Sequence, residues 1–254
     1  MSESIPYQRL CTEFYDLDKP SVPKEALQFY LSYARDANGP LLEPMCGTGR
    51  FLIPLLEEGY SVTGFDASPH MIKVCQKKCA SKNLKAELLE TTFETFSTSQ
   101  KYPFIFIPSG SLGLLIASQQ ISTALALIFE LLPSKGKFVF ELETVQSAQV
   151  SLNNWQGHWI ERSEGSLIVL NTLSRFDTSS KISTTLCRYE LWENNSISSV
   201  EVEEFRLRLY EREEFDKILK QHGFIISKKW DGDNYLKKAL SSSTKTIIYE
   251  CIKP

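Results

Sequence analysis

The stretch Leu41-Leu-Glu-Pro-Met-Cys-Gly-Thr-Gly-Arg-Phe51 constrains this chain more than any other. Two apolar residues ending in an acid, a small-residue turn with two glycines and an apolar run at helical spacing describe a buried strand that enters a tight loop and leaves as a helix. Gly47 and Gly49 let the backbone approach a ligand because no side chain blocks the way, and the following helix points free N–H groups at it. Roughly twenty residues on, the interval that a nucleotide-binding βαβ unit requires, Ser61-Val-Thr-Gly-Phe-Asp66 reads as a second strand ending in an acid. Asp66 is then placed to accept hydrogen bonds from both hydroxyls of a ribose. A glycine turn alone can join any strand to any helix; Glu43 and Asp66 at this spacing shift the balance toward a nucleotide-like ligand.

NAD is disfavoured as that ligand. A dinucleotide fingerprint wants a third glycine where the helix packs on the strand, and position 52 is Leu. Glu43 beside the turn would repel a pyrophosphate but suits a cationic ligand. S-adenosylmethionine (SAM) carries ribose and adenine without phosphate, and adds an ammonium and a sulfonium. Here the chain resembles the class I SAM-dependent methyltransferases, whose first motif runs acid-x-Gly-x-Gly-x-Gly and is often written with Cys-Gly-Thr-Gly, as at Cys46 to Gly49. Met45 stands in place of the family's first glycine, a departure that asks for a slightly different turn but the same ligand.

The resemblance implies an α/β fold: a Rossmann-like, doubly wound, mostly parallel seven-stranded sheet with an inserted antiparallel β subdomain. It divides the chain into an N-terminal helical lid with the SAM-binding core (1–143), an antiparallel insertion on the acceptor side (144–210) and the rest of the core (211–254). It implies cofactor contacts from Tyr15, Glu43, Met45, Cys46, Gly47, Gly49 and Arg50 in and before the first loop, and from Asp66, Ala67 and Met71 after the second strand. Thr92 and Phe93 stand where many relatives have an acid and an apolar residue against the adenine, while Pro108, Ser109 and Gly110 follow the fourth strand.

Taken in order, Tyr7 to Tyr33 mixes aromatic and charged residues and reads as a helical preface, with Glu25 to Ala34 at helical spacing. Tyr15 is a candidate for the methyl-transfer site by resemblance, and equally a residue that packs this helix on the core. Phe51, Leu52, Leu55 and Leu56 recur on one helix face, with Gly59 as its cap. Ser68 caps the next helix, Pro69 opens it, and Ile72, Cys75 and Cys79 form its buried stripe, so these cysteines read as core rather than metal ligands. Met71 near an adenosine and Met71 in a core are readings of similar weight. Ala86 to Leu89, Phe104 to Ile107 and Lys137 to Leu142 are further strands, with a helix from about Gln120 to Leu132.

From about Thr144 the pattern turns β-rich. Ser166 to Phe176, Ser183 to Trp192 and Ser199 to Tyr210 are long strands separated by polar turns. Val200, Val202, Phe205, Leu207 and Leu209 line one face if a bulge near Glu203-Glu204 shifts the alternation. Arg206 and Arg208 fall opposite, more naturally a solvated face than a substrate clamp, and the same caution holds for Arg175, Trp155, Trp159 and Tyr189. Trp155, Trp159 and Tyr189 are aromatic residues of the kind a small-molecule pocket uses. Glu211 to His222 is again helical, and Phe224 to Ile226 and Lys245 to Cys251 complete the strands. His158 is the one histidine of three in a region where an acceptor pocket is expected.

Composition narrows the function. With 254 residues, 42% hydrophobic and 23% charged, the chain is long enough for one large domain with an insertion. A formal net charge of -3 gives no electrostatic footprint for nucleic acid. The six cysteines are scattered, writing neither a disulfide framework nor a metal set. Met1 to Pro6 lacks the basic and apolar pattern of a leader, and no apolar run reaches membrane-spanning length. The expectation is a cytoplasmic monomer or homodimer, without metal, membrane or nucleic-acid partner, that moves a methyl group from SAM to the nitrogen or oxygen of a small acceptor. The alternatives are a SAM- or nucleoside-binding sensor without catalysis and, further off, an NAD-dependent reductase.

Overall fold

The computed structural model describes residues 7–148 and 154–254; Met1–Pro6, read above as lacking a leader, and positions 149–153 of the insertion lie outside the described residues. Its centre is a seven-stranded sheet built from β1 (Leu41–Pro44), β2 (Val62–Asp66), β3 (Glu87–Glu90), β4 (Phe104–Ile107), β5 (Lys137–Glu143), β10 (Ile225–Asp231) and β11 (Thr246–Ile252). The order is β10-β11-β5-β4-β1-β2-β3. The pairs from β3 across to β5 are parallel, and β11 alone runs against both its neighbours. The chain order reverses at β1, whose neighbours are β2 and β4, and such a switch point leaves a crevice at the carboxyl ends of the strands.

The short apolar runs become strands buried on both faces because successive side chains serve opposite layers. Leu41, Phe104 and Phe106 join the layer that holds α2 (Lys24–Asp36), α3 (Leu52–Glu57) and α4 (Pro69–Ser81). Leu42, Ile105 and Ile107 join the other, with α5 (Ser118–Leu131) and α6 (Glu214–Gln221). Ser68 caps α4 through the Met71 amide with Pro69 in the first turn, and Gly59 takes φ 88° just past α3.

The insertion is a separate four-stranded antiparallel sheet in the order β6 (Gln156–Glu161), β7 (Leu167–Asp177), β8 (Ile182–Glu193), β9 (Ser196–Arg208). Strand β6 had no expected counterpart, being short and exposed along nearly its whole length. The sheet is covered by α1 (Arg9–Asp18), whose Leu10, Cys11 and Phe14 meet Ile168, Cys187, Tyr189 and Leu191 in a third small core.

The bulge expected at Glu203-Glu204 is absent: pairing with β8 runs in step from Ser199 to Arg208, and the irregularity lies opposite Leu191 and Trp192. Glu203 itself faces inward, 5% exposed, whereas Val200 and Val202 point out at 46% and 52%. The physical reason is α1. Its first residues carry no side-chain cap, and two β9 carboxylates supply one. Glu203 accepts from the Tyr7 and Gln8 amides at 2.8 and 2.6 Å, and Glu201 from the Leu10 amide at 2.6 Å. Acids at a helix N-terminus satisfy its free N–H groups and complement its dipole.

Candidate active site

A cavity of about 500 Å³ opens at the carboxyl ends of β1, β2 and β4. Its floor is the first loop. Met45 takes φ 58°, Gly47 55° and Gly49 79°, so the turn that Met45 makes is one a glycine would make without strain. The expected departure in the turn is therefore a cost in energy, about 1–2 kcal/mol for a side chain in the left-handed region, rather than a change in path. Ser109, across the cavity, is also left-handed at φ 60°, followed by Gly110 at 70°. Strained residues held by their surroundings gather at ligand sites. The holder of Ser109 is Glu141 on β5, buried and bonded by the Ser109 amide and by the Tyr30 and Tyr235 hydroxyls at 2.7 and 2.9 Å.

Asp66 ties loop to strand. One carboxylate oxygen accepts from the Gly47 amide and the other from the Ser68 amide, both at 2.9 Å. Burial raises its pKa, opposed by the Ser68, Gly47 and Ala67 amides. Each oxygen keeps a second lone pair for a ligand.

Three buried polar atoms around the loop find no partner among the described residues: Glu43 Oε2, Thr48 Oγ1 and Arg50 Nε. Burial pushes the Glu43 carboxyl well above the ordinary carboxylate range, the nearby Cys75 adds to the rise and Arg50 pulls the other way. Arg50 donates to the Ser109 hydroxyl at 2.5 Å and lies over the Tyr15 ring at 5.8 Å. Burial likewise raises the Tyr15 phenol, so it stays a hydroxyl donor at neutral pH. Native proteins rarely leave such atoms unpaired, and a charged ligand group would satisfy them.

The cavity brings together Tyr15, Glu43, Met45, Cys46, Gly47 and Arg50 with Asp66, Ala67, Met71, Thr92, Phe93, Pro108 and Ser109. Phe93 stands edge-on to Phe65 with ring centres 5.2 Å apart, and the Thr92 hydroxyl lies 3.2 Å from that of Thr95. Two expected contacts fall elsewhere. Gly49 does not line the cavity; a Cβ there would stand 2.5 Å from Cys75 Sγ, so its role is close packing of the loop on α4. Gly110 borders a second cavity of about 290 Å³, which shares Tyr7, Ser109, Ser111, Leu114 and Phe205 with the first.

From the insertion Glu204, Phe205 and Arg206 reach the first cavity. Arg208 does not; it pairs with Glu214 at 3.4 Å and lies over Tyr210. His158 and Trp159 lie on the exposed strand β6, Trp159 at 69% exposure, and Tyr189 packs on Phe14. None of His158, Trp155, Trp159, Arg175 and Tyr189 lines either cavity. Sequence reasoning missed Tyr7, Ser68, Gln120 and Phe205, all of which line the first cavity. Ser68 offered a usable signal: its hydroxyl caps α4 and also donates to the Tyr7 carbonyl at 2.8 Å, so the second residue after an acid-ended strand couples α4 to the segment that leads into α1.

Among the described residues no group of three or more metal-ligating side chains occurs, and no helix is long and apolar enough to cross a membrane. The six cysteines are buried and free.

Residues 41–136 match a family model described as a methyltransferase domain. A Geobacillus sp. (strain WCH70) protein bearing a methyltransferase name is 27% identical over 139 residues, 54% of this chain and 55% of that protein. The chain thus spans about half the length of the curated relatives it matches. A SAM-dependent methyltransferase from Clostridium acetobutylicum superposes with a TM-score of 0.78 at 20% identity, covering 94% of this chain and 96% of that one. An amino pentose methyltransferase from Micromonospora echinaspora does so with a TM-score of 0.71 at 16% identity over the whole of both chains. At these identities the likeness is one of fold. With the seven-stranded topology it gives the chain the class I, Rossmann-like fold of the SAM-dependent methyltransferases, and residues 41–136 within that fold match the methyltransferase domain.

Proposed function

We propose that this protein binds SAM in the larger cavity and moves its methyl group to a nitrogen or oxygen of a small-molecule acceptor held under the inserted sheet. The observation that carries the reading is the set of unpaired groups around one loop, which match the cofactor's charges by sign. Glu43 Oε2, buried and without a partner, suits the ammonium, and Arg50 Nε, equally orphaned, suits the carboxylate. The free lone pairs of Asp66 suit the ribose diol, while Met71 and Phe93 offer apolar faces for adenine. No phosphate is required by this set.

When bound, SAM supplies an electrophilic methyl on a sulfonium. The chain's own part is alignment and exclusion of water. Tyr15 presents a neutral phenol beside Arg50, and Phe205 and Arg206 close the cavity from the insertion. Positioning of two reactants contributes several kcal/mol without an obligatory base. That no histidine lines either cavity accords with this. The free thiols accord with a reducing, cytoplasmic setting. Calorimetric titration with SAM and with NAD, followed by measurement of S-adenosylhomocysteine (SAH) released with a panel of small acceptors, tests the reading. Binding of SAM alone with no turnover on any acceptor would favour a sensor, and binding of NAD without SAM would refute both.

A further inference from the structure

The second cavity opens off the cofactor cleft beneath the inserted sheet, and its lining is chemically one-sided. Ser147, Ser183 and Thr185 bring hydroxyls, and Leu207 and Leu209 bring a methyl-rich wall. Its one charged lining residue among those described is Glu143, at the carboxyl end of β5. One Glu143 oxygen accepts from the Ser147 hydroxyl at 2.9 Å, and no cation lies within ion-pair distance of the carboxylate among the described residues. Lys19 feels the Glu143 charge from beyond ion-pair distance and lies over the Tyr15 ring at 5.2 Å. Gly110 packs directly beside the carboxylate: a Cβ at that position would stand 3.4 Å from Glu143 Oε1, at ordinary contact distance. Ser109, the next residue, lines both cavities, so the carboxylate lies one residue away from the passage between them.

We propose that Glu143 selects the acceptor, and that the acceptor is a small hydroxylated amine whose nitrogen donates an N–H to this carboxylate. The inference rests on the methyltransferase reading and adds to it the acceptor's class. Its logic is charge. In the transfer the nitrogen lone pair forms the new N–C bond, the C–S bond breaks with its electron pair passing to sulfur, and the positive charge moves from sulfur to nitrogen. A carboxylate beside the nitrogen stabilises the charge where it arrives, and a fixed group there needs no reorganisation during transfer. The same carboxylate repels an anionic acceptor. A neutral hydroxyl acceptor would have to give up its proton to a base much weaker than its own alkoxide, whereas a free amine already carries its lone pair. The ring of serine and threonine hydroxyls fits the hydroxyls of such a molecule, and the leucines fit its carbon face.

The experiment uses three matched probe sets with the full chain: aminopentoses and aminohexoses, their parent sugars, and uronic acids. Binding to the SAH-loaded protein is read by saturation-transfer NMR, and turnover by SAH formation from SAM. The expected result is binding and turnover by amines only. Glu143→Gln should lower kcat/KM for the amine by about tenfold to a hundredfold, the loss expected for one hydrogen bond to a charged group. Glu143→Asp, which keeps the charge, should recover part of that loss. SAM affinity, measured by calorimetry, should be the same in all three proteins, and melting with and without SAH identifies any variant that has not folded. Equal use of amines and parent sugars, an unchanged kcat/KM in Glu143→Gln, or no probe bound while SAM binds normally would overturn the assignment of Glu143 and leave the cofactor reading standing. Failure of SAM itself to bind would sink that reading instead.

Discussion

Replacement of Asp66 tests the central arrangement, because the carboxylate does two jobs that can be measured apart. In the free protein it accepts from the Gly47 and Ser68 amides, both at 2.9 Å, and so holds the first loop against β2. Asp66→Ala leaves two amide donors without their acceptor. Each buried donor left unpaired costs about 1–3 kcal/mol. Removal of a carboxylate whose pKa is already raised by burial returns part of that. The net loss of unfolding stability should be about 2–4 kcal/mol. Binding loses separately. Two ribose hydroxyls lose a charged acceptor, a further cost of about 1.5–3 kcal/mol, or about tenfold to a hundredfold in Kd.

Asp66→Asn separates the two effects, since it keeps the shape and one carbonyl oxygen but sets an amide N–H₂ against a backbone donor. It should lie between wild type and Asp66→Ala in urea unfolding, yet close to Asp66→Ala in calorimetric SAM affinity. The pH dependence has a fixed sign. The native pKa lies above the ordinary 3.8, so SAM affinity of the wild type should fall as pH drops toward and through that raised value, and this part of the acid loss should vanish in Asp66→Asn. Unchanged SAM affinity in Asp66→Ala would show that the cavity does not hold the ribose here, and an affinity loss without a stability loss would show that the loop is held by something else.

Other outcomes follow from the same geometry. Glu43, raised well above its usual range, should release a proton when the cationic ammonium binds; SAM titrations in two buffers of different ionisation enthalpy should differ in heat, and Glu43→Gln should abolish the difference. Tyr15→Phe should lower single-turnover rates by about tenfold while SAM affinity stays within about twofold, the pattern of a contact made in the transition state. Gly64→Ala on β2 puts a Cβ 2.4 Å from Leu52 Cδ1 and 3.0 Å from Cys46 Sγ, and should cost about 1–3 kcal/mol in denaturant unfolding, with partial recovery on adding Leu52→Ala. Glu203→Ala strips two amide acceptors from the start of α1 and should make that helix the first site of limited proteolysis, before any change in global unfolding.

Much of the parallel sheet was legible because its signals are local. Runs such as Phe104-Ile-Phe-Ile107 announce strands buried on both faces, and Ser68-Pro69 announces the start of α4. What escaped depends on contacts far apart in sequence. Leu52 argued against a glycine-packed helix, yet Gly64, a residue of the facing strand, provides the space from the other side. The same holds for Gly49, which reads as a ligand contact in the motif but is fixed by Cys75 on another helix. His158 looked promising by region, but a region is not a face: β6 lies at the edge of its sheet and neither cavity reaches that histidine.

Strand β9 is the clearest case of a pattern misread for a physical reason. Alternation of apolar residues assigned Val200 and Val202 to the inside and forced a bulge before Phe205. The strand instead keeps its register and turns Glu201 and Glu203 inward, because a buried helix start needs acceptors more than the sheet needs two more valines. The consequence reaches the site. Those carboxylates hold α1, α1 carries Tyr15, and the Tyr7 carbonyl at its entry accepts a hydrogen bond from the hydroxyl of Ser68, two residues after Asp66. Phe205, two residues beyond Glu203 on the same face, lines both cavities and stands 5.0 Å from the Tyr7 ring. One strand therefore holds α1 and walls both cavities, so a change in its register would move Tyr15 and Phe205 together.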